Sequence, residues 1–279
     1  MILRDLRGLD DLRGPLTDAA DALLAAILAP RCAACSDPLE RPTLGPVCGP
    51  CWDRIKTIRP PFCPVCGDML ASWRTLSGDG DSCPACRRRR SLVDASRSAG
   101  CYEGALRDIV HAFKYEGRRT LSTRLGKMMR EAGTDLLADA ACVVPVPLHP
   151  WRRFARGFNQ AADLAGSLDL PVVHALWRTR MTAPQTGLTA AGRRHNVRGA
   201  FSASPLLPRR VCRSLLVDRV VVLVDDVRTT GATLDACAGV LKRAGVTEVR
   251  ALTVALAAPP ASQRRTRGLR NAATRATAG

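Results

Sequence analysis

Four pairs of cysteines with identical spacing stand in the first third of the chain. Two residues separate the members of each pair, and the pairs are Cys32 and Cys35, Cys48 and Cys51, Cys63 and Cys66, and Cys83 and Cys86. Two thiolates at this spacing can hold one metal ion from a tight turn, and two such turns complete a tetrahedral site of four sulfurs. The pattern predicts two structural zinc ions. The spacing alone is compatible with sequential and with interleaved pairing of the turns.

Metal binding is favoured over disulfides because the chain has the features of a cytoplasmic protein. Its apolar run near the N-terminus, residues 22–29, follows Asp18 and Asp21 and so lacks the positive flank of a secretory signal. No apolar stretch approaches the roughly 20 residues of a membrane-spanning helix, and we expect no membrane insertion. Cytosolic thiols stay reduced. A redox role or a chance distribution is the alternative, but four repeats of one spacing make chance a poor explanation.

Composition divides the chain into four segments. We expect an N-terminal helix in residues 1–30, with Thr17 as its N-cap, and a double zinc ribbon in residues 31–90. Proline and glycine are frequent in that ribbon and leave few residues for an apolar core. Residues 91–258 alternate between strand and helix patterns and form the main domain. Residues 259–279 contain five arginines and no acidic residue, which predicts a disordered basic tail.

The main domain has the pattern of an α/β fold. Its short apolar segments are typical of buried strands, and they are residues 142–146, 172–173, 220–224 and 249–257. Helical patterns alternate with them, the first of which ends at Gly117 and carries Leu106, Ile109, Val110 and Phe113 on one face. Uniformly apolar strands between helices predict a parallel sheet covered by helices on both faces.

The segment VVLVDDVRTTGAT, residues 221–233, carries the clearest catalytic pattern. Asp225 and Asp226 stand at the end of a buried strand, just before a turn of small residues and a predicted helix. Ligands of open α/β sheets sit outside the carboxyl ends of strands, and a helix N-terminus attracts phosphate. Adjacent carboxylates can accept hydrogen bonds from a sugar diol, so the segment predicts a site for ribose 5-phosphate. An ordinary helix cap would explain one aspartate, but not two that repel each other.

Two further segments are candidates for binding the anionic part of such a ligand. The loop after the strand at 142–146 is rich in basic and polar side chains, and Arg156 and Gly157 are the residues that we select from it. A solvated basic face that leads into a helix N-cap at Asn159 is the alternative. Lys114 follows an apolar helical face and is a further anion contact, unless it only solvates the helix end. Residues 178–198 are also rich in arginine, and they suit a mobile hood that excludes water from the site.

The chain as a whole resembles the ComF family. The resemblance rests on the four cysteine pairs, the segment 221–233, and the segments HAFKYEG (111–117), VPVPLHPWRRFARGFNQ (144–160) and QTGLTAAGRRHNVRGAF (185–201), and it covers about residues 25–258. It implies a small zinc-ribbon module ahead of a parallel sheet of the type I phosphoribosyltransferase kind. It also implies that phosphoribosyl pyrophosphate binds together with Mg²⁺.

The resemblance assigns roles to single residues. Asp225 and Asp226 would orient ribose, and the loop that follows would hold the ligand's phosphate through Arg228, Thr229, Thr230, Gly231, Ala232 and Thr233. Arg228 departs from the pattern of type I phosphoribosyltransferases, which usually carry an apolar or aromatic residue there. Arg156 and Gly157 would bind the pyrophosphate. No pocket for an acceptor base can be derived from the sequence.

A second function class is handling of nucleic acid. The net charge is +17, and it favours polyanionic partners. The resemblance implies single-stranded DNA and other DNA-uptake proteins as partners, because ComF-like proteins are associated with DNA uptake. Aromatic residues for base stacking make up 4% of the chain, so we expect binding mainly through charge, from the ribbon, residues 178–198 and the tail. The first hypothesis is therefore an enzyme, and the alternative is a DNA-binding competence protein without catalysis.

Overall fold

The computed structural model describes most of the chain. The described residues are 7–72, 82–88, 91–149, 151, 154, 157–180 and 199–257, with side chains from residue 17 onward. The predicted disordered tail at 259–279 lies outside these residues. So do Arg156 and residues 181–198 of the predicted hood.

A parallel sheet of four strands lies at the centre of the fold. The strands of the described residues are β1 (Ala95–Cys101), β2 (Cys142–Pro145), β3 (Leu176–Arg178), β4 (Phe201–Ala203), β5 (Val220–Arg228) and β6 (Glu248–Leu256). The central sheet has the order β1-β6-β5-β2, and all its neighbours are parallel. On β5, Val221 and Leu223 belong to one apolar cluster and Val222 and Val224 to another, so both faces are buried. The predicted α/β class is confirmed.

Helices cover both faces of this sheet. They are α1 (Arg7–Leu28), α2 (Gly49–Asp53), α3 (Pro84–Arg88), α4 (Gly104–Tyr115), α5 (Leu121–Ala132), α6 (Thr134–Leu137), α7 (Gln160–Ala165), α8 (Arg209–Leu215) and α9 (Ala232–Arg243), with a 3₁₀ turn at Pro42–Leu44. Helices α4 and α5 pack on the face of Val222, whereas α9 packs on the face of Val221. Within the described part of the chain, no helix combines the length and the apolar composition needed to cross a membrane.

Three local features differ from the sequence predictions. Helix α1 begins ten residues or more before Thr17, which is therefore not its N-cap. The two aspartates after Thr17 contact the first ribbon instead. Asp21 Oδ1 accepts from the Thr43 amide at 2.8 Å, and Asp18 forms an ion pair with Arg41 at 2.9 Å. The strand predicted at 172–173 is a single bridge between Val172 and Val143. The antiparallel pair β3 and β4 was not predicted, because each strand has three residues and its partner is remote in sequence.

The zinc-ribbon region is joined to the sheet along the edge strand β1. Ile58 N donates to Ala99 O at 3.2 Å, and Cys101 N donates to Lys56 O at 2.9 Å, so the linker between the second and third cysteine pairs extends the sheet. Trp52 is buried in the apolar cluster that also contains Phe113 of α4. The first ribbon thus buries its few apolar residues against the main domain, and the linker between the two ribbons lies along the edge strand β1.

Candidate functional site

The eight paired cysteines form two separate groups of four. The groups are Cys32, Cys35, Cys48 and Cys51, and Cys63, Cys66, Cys83 and Cys86, and the sulfurs of each group lie within 4.8 Å of one another. The Sγ atoms of Cys35 and Cys48 are 3.8 Å apart, and those of Cys66 and Cys83 are 3.7 Å apart. Tetrahedral coordination with Zn–S bonds of about 2.3 Å separates sulfurs by about 3.8 Å. The groups fit two structural zinc ions, and the pairing is sequential.

Backbone amides donate hydrogen bonds to cysteine sulfurs in both groups. Cys32 Sγ accepts from the amides of Ala34 and Cys48, each at 3.4 Å, and Cys63 Sγ accepts from the Cys83 amide at 3.3 Å. Burial disfavours the thiolate, but these donors outweigh it and lower the pKa of Cys32 to about 6. The pKa of Cys63 is lowered in the same way, whereas burial raises the pKa of Cys51, Cys66 and Cys86, so each ribbon favours one thiolate before a metal binds.

The two aspartates at the end of β5 face opposite sides of the sheet and have different partners. Asp226 lies on the side of α4, where its Oδ1 is 2.8 Å from Lys114 Nζ. Both side chains are about 15% exposed (15% for Asp226 and 16% for Lys114). Burial disfavours the ammonium, but the Asp226 carboxylate outweighs this effect and raises the pKa of Lys114. Lys114 is therefore a cation inside the site and not a solvated helix end.

Asp225 lies on the side of α9 in a less favourable environment. Its burial, together with the negative charge of Asp226, raises the pKa of Asp225 to about 7. The Asp226 amide, which donates to Asp225 Oδ1 at 2.9 Å, offsets this in part, as do the charges of Lys114 and Arg178. A carboxylate with a raised pKa at the end of a sheet is a feature of functional sites.

Arg178 is the first residue of the predicted mobile hood, and its side chain is buried. It is the last residue of β3, it is 8% exposed, and its guanidinium lies 5.2 Å from the ring centre of Phe201. Its charge lowers the pKa of Asp225. Arg178 therefore belongs to the interior of the candidate site. Its burial could not be predicted, because the strand that carries it has only three residues.

The turn after β5 has the backbone of an anion site. Gly231 has φ 74°, a left-handed conformation that a residue without Cβ adopts at little cost, and α9 begins at the next residue. Thr230 Oγ1 accepts from the Ala232 amide at 3.4 Å. Thr229 and Thr233 are partly buried on either side. The N-terminus of a twelve-residue helix thus opens beside the two aspartates, where its partial positive charge favours phosphate.

The loop after β2 also contributes to the candidate site beside the two aspartates. Gly157 has φ 74°, and the Asn159 side chain accepts from the Ala161 amide at 3.2 Å as the N-cap of α7. The adjacent Gln160 is buried, and its Nε2 donates to the backbone oxygen of Lys114 at 3.4 Å. The end of α4 thus joins the two predicted ligand loops.

Arg228 differs from the other residues of the predicted phosphate loop. It ends β5, it is 8% exposed, and its Nη2 forms an ion pair with the carboxylate of Asp68 in the second zinc ribbon. Asp68 was not selected from the sequence, because nothing in a lone aspartate after a cysteine pair indicates a partner 160 residues away.

Two large aromatic side chains stand exposed on the loop after β2. Trp151 is 67% exposed and Phe154 is 83% exposed. Their ring centres are 6.3 Å apart and their planes are inclined by 32°. The sequence places arginines 152, 153 and 156 around them. Exposed aromatic pairs among basic residues are typical of surfaces that stack nucleobases.

Two family models match the chain. A double zinc ribbon domain matches residues 23–87, and a phosphoribosyl transferase domain matches residues 156–270, which include the whole turn after β5. The protein is thus a double zinc ribbon protein with a phosphoribosyltransferase domain.

Relatives with the same organisation identify the family. Competence protein F of Haemophilus influenzae is 32% identical over 79% of this chain and 94% of its own length. DNA utilization protein YhgH of Escherichia coli is 30% identical over 78% of this chain and 93% of its own length. The chain belongs to the ComF family. A solved allosteric regulatory enzyme of purine biosynthesis is also similar, at 25% identity over 48% of this chain and 25% of its own, with a TM-score of 0.31. That score is too low to add to the fold assignment.

Replacing Cys48 by Ser should remove one zinc ion of two, because sequential pairing makes Cys48 a ligand of the first group only. Metal analysis should then give about one ion per chain. Peptide mass spectrometry after alkylation should find Cys32, Cys35 and Cys51 labelled and the second group protected. Cys212→Ser, outside both groups, should keep both ions. Labelling of both groups in a folded Cys48 variant would contradict the pairing.

Replacing Asp225 by Asn should stabilise the ligand-free protein more at pH 8 than at pH 5. The folded pKa is raised, so at pH 5 the carboxyl is mostly neutral like Asn, and at pH 8 it carries a buried charge. The free energy of unfolding should gain about 2 kcal/mol more at pH 8 than at pH 5. Urea unfolding at both pH values measures this difference. Asp108→Asn, on an exposed part of α4, is the control, and an equal response of both variants would mean that Asp225 carries no buried charge.

Proposed function

We propose that this protein binds phosphoribosyl pyrophosphate at the carboxyl edge of its sheet and transfers the phosphoribosyl group to a nucleophile. The observation that supports this most directly is the pair Asp225 and Asp226, which stands immediately before the left-handed Gly231 and the N-terminus of α9. Carboxylates that suit a diol and a helix N-terminus that suits a phosphate thus stand at the same end of β5, and a ribose 5-phosphate contains both groups.

The aspartates bind the ribose. Each accepts a hydrogen bond from a ribose hydroxyl, and such bonds to an ionised acceptor are about twice as strong as neutral ones. Lys114 Nζ pairs with the Asp226 carboxylate at 2.8 Å, and the charge of Arg178 lowers the pKa of Asp225 and so offsets part of the effect of its burial. The turn from Thr229 to Thr233 holds the 5-phosphate with backbone amides and hydroxyl groups.

The loop after β2 binds the pyrophosphate. Gly157 brings the backbone close to the ligand, and Arg156 supplies positive charge. Lys114 lies between the two loops and adds a cation near the leaving group. Mg²⁺, bound with the ligand by its phosphate oxygens and the hard carboxylate oxygens nearby, would neutralise further charge.

The reaction is a displacement at the anomeric carbon of ribose. The bond from this carbon to the pyrophosphate oxygen breaks with its electron pair, so pyrophosphate leaves, and a bond to the nucleophile forms as the nucleophile loses a proton. Positive charge develops on the sugar ring in the transition state. Asp225 and Asp226, anchored below the ring, stabilise this charge electrostatically.

Binding of single-stranded DNA is a second candidate function, which the exposed pair Trp151 and Phe154 favours. Bases can stack on these rings while neighbouring arginines neutralise the phosphates. The relatives from Haemophilus influenzae and Escherichia coli carry names that refer to competence and DNA utilization, in agreement with this role. Other DNA-uptake proteins would then be its partners. Arg178 does not contribute, since it is buried beside Asp225.

Replacing both Asp225 and Asp226 by Asn should weaken binding of phosphoribosyl pyrophosphate, because each amide keeps the shape but loses the charge that strengthens the hydrogen bond. We expect a loss of about 1 to 3 kcal/mol per site. Calorimetry with Mg²⁺ present measures the affinity, and a pyrophosphate release assay with a panel of nucleobases measures transfer.

The control is Asp218→Asn, since Asp218 lies in the turn before β5 at the opposite edge of the sheet. Equal affinity of the wild type and the folded double variant would refute the ribose assignment. Tight binding without pyrophosphate release for any acceptor would assign the site to ligand binding without catalysis.

Replacing Trp151 and Phe154 by Ala should weaken single-stranded DNA binding by about 1 to 3 kcal/mol for each base that stacks on them. Fluorescence anisotropy with a labelled oligonucleotide measures this at two salt concentrations. Affinity should also fall steeply with salt in both proteins, because arginine and lysine contacts remain. Removal of residues 259–279 is the comparison, and complete loss of binding in that variant alone would place the DNA site in the tail.

A further inference from the structure

The second zinc ribbon contacts the end of the strand that carries the candidate ribose site. Arg228, two residues after Asp226, forms its ion pair with Asp68, which itself follows the zinc ligand Cys66 by two residues. The next ribbon residue, Met69, receives a contact from the Cys101 thiol at 3.9 Å between the sulfurs. Two consecutive ribbon residues thus meet the ends of two different strands.

These contacts lie on one row across the sheet. Arg228 is paired with Leu256 of β6, and Leu256 is paired with Cys101 of β1. Asp68 and Met69 therefore span the carboxyl ends of three neighbouring strands. Asp226 and Arg228 are separated on β5 only by Val227, so Lys114 and Asp68 both contact the same short stretch of this strand. The strand end that places the aspartates is fixed by α4 and by the ribbon.

Asp68 of the second ribbon is held in place by close backbone packing and by a hydrogen bond to a zinc ligand. A Cβ on Gly67 would lie 2.4 Å from the Ser96 oxygen, so the turn between Cys66 and Asp68 packs directly on the backbone of β1. Cys63 N donates to Asp68 O at 2.9 Å, which ties Asp68 to a second zinc ligand. The position of the Asp68 carboxylate thus depends on the turn that the four sulfurs close.

We propose that the second zinc site and the phosphoribosyl site are coupled through the Asp68–Arg228 ion pair, with zinc and phosphoribosyl pyrophosphate each stabilising the binding of the other. The proposal rests on the proposed function of the Asp225–Asp226 loop. Arg228 acts as a positioning residue. Burying a guanidinium is costly compared with an apolar side chain of similar size, and among the described residues its Nε has no hydrogen-bond partner. The coupling accounts for an arginine where an apolar residue would pack at lower cost.

Substitution of either partner should lower the affinity for phosphoribosyl pyrophosphate by about fivefold or more. The variants are Arg228→Met, Asp68→Asn and the double variant, measured by calorimetry with zinc content checked in each. Because the pair acts as a unit, the double variant should lose no more than the single ones. Asp135→Asn is the matched control, since it removes a carboxylate that pairs at 2.7 Å with another arginine of low side-chain exposure, Arg97. It should bind like the wild type.

If zinc raises the affinity for phosphoribosyl pyrophosphate, this ligand must also raise the affinity for zinc. Alkylation in the presence of a chelator measures the second effect for each cysteine. Phosphoribosyl pyrophosphate should slow labelling of the second group in the wild type, leave the first group unchanged, and have no such effect in Arg228→Met. The second group is Cys63, Cys66, Cys83 and Cys86. Arg228 lies outside the ribbon, so this variant remains informative if Asp68→Asn loses its zinc.

The outcomes separate the two proposals. A wild type that binds no phosphoribosyl pyrophosphate overturns the proposed function and the coupling with it. A wild type that binds, without slower labelling of the second group, overturns the coupling alone. Weaker binding in Arg228→Met with normal binding in a zinc-loaded Asp68→Asn would show that Arg228 contacts the ligand directly, and this too overturns the coupling.

Discussion

Two carboxylates side by side at the end of a buried strand repel each other, and much of the surrounding structure compensates for this repulsion. The strand places the pair on opposite sides of the sheet, so each requires its own cation. Lys114 reaches Asp226 from the end of α4, and Arg178 approaches Asp225 from the small sheet of β3 and β4. Compensation is incomplete at Asp225, whose pKa stays raised. Charged groups kept at such a cost are typical of functional sites, and the proposed ribose diol would use the charge of this pair.

The zinc ribbons have few apolar side chains with which to form a core, because their segment is rich in proline and glycine. The first ribbon shares the apolar core of the main domain through Trp52, and the second is held by Arg97 and Arg228. Sequential pairing makes this possible. It leaves the linker between the two groups free to run along β1, where Lys56 and Ile58 bond to the strand. Interleaved pairing would draw the start of the second ribbon toward the first and remove that linker from the sheet edge.

The features that depend on local residue patterns could be predicted from the sequence. The features that depend on contacts between segments remote in the sequence could not. The parallel sheet, the strand that ends in Asp225 and the two zinc groups follow from apolar runs and from spacing, and all of them are present. The pairing of the zinc turns, the burial of Arg178 and the contact of Arg228 with Asp68 depend on how remote segments pack. Thr17 illustrates the same limit, because a good N-cap residue is overridden when the helix continues through it to bring Asp18 and Asp21 to the ribbon.

The two proposed functions require different parts of the surface at the carboxyl ends of the strands. A diol site made by Asp225 and Asp226 cannot accept an internal nucleotide of DNA, which lacks the 2′-hydroxyl and has its 3′-oxygen in a phosphodiester. The same carboxylates repel the phosphates of a strand. Trp151 and Phe154 are exposed on the loop after β2, whereas the aspartates are withdrawn between α4 and α9. A DNA strand would therefore lie across the aromatic pair, and phosphoribosyl pyrophosphate would bind beneath it, so the loop that carries Gly157 would contact both ligands.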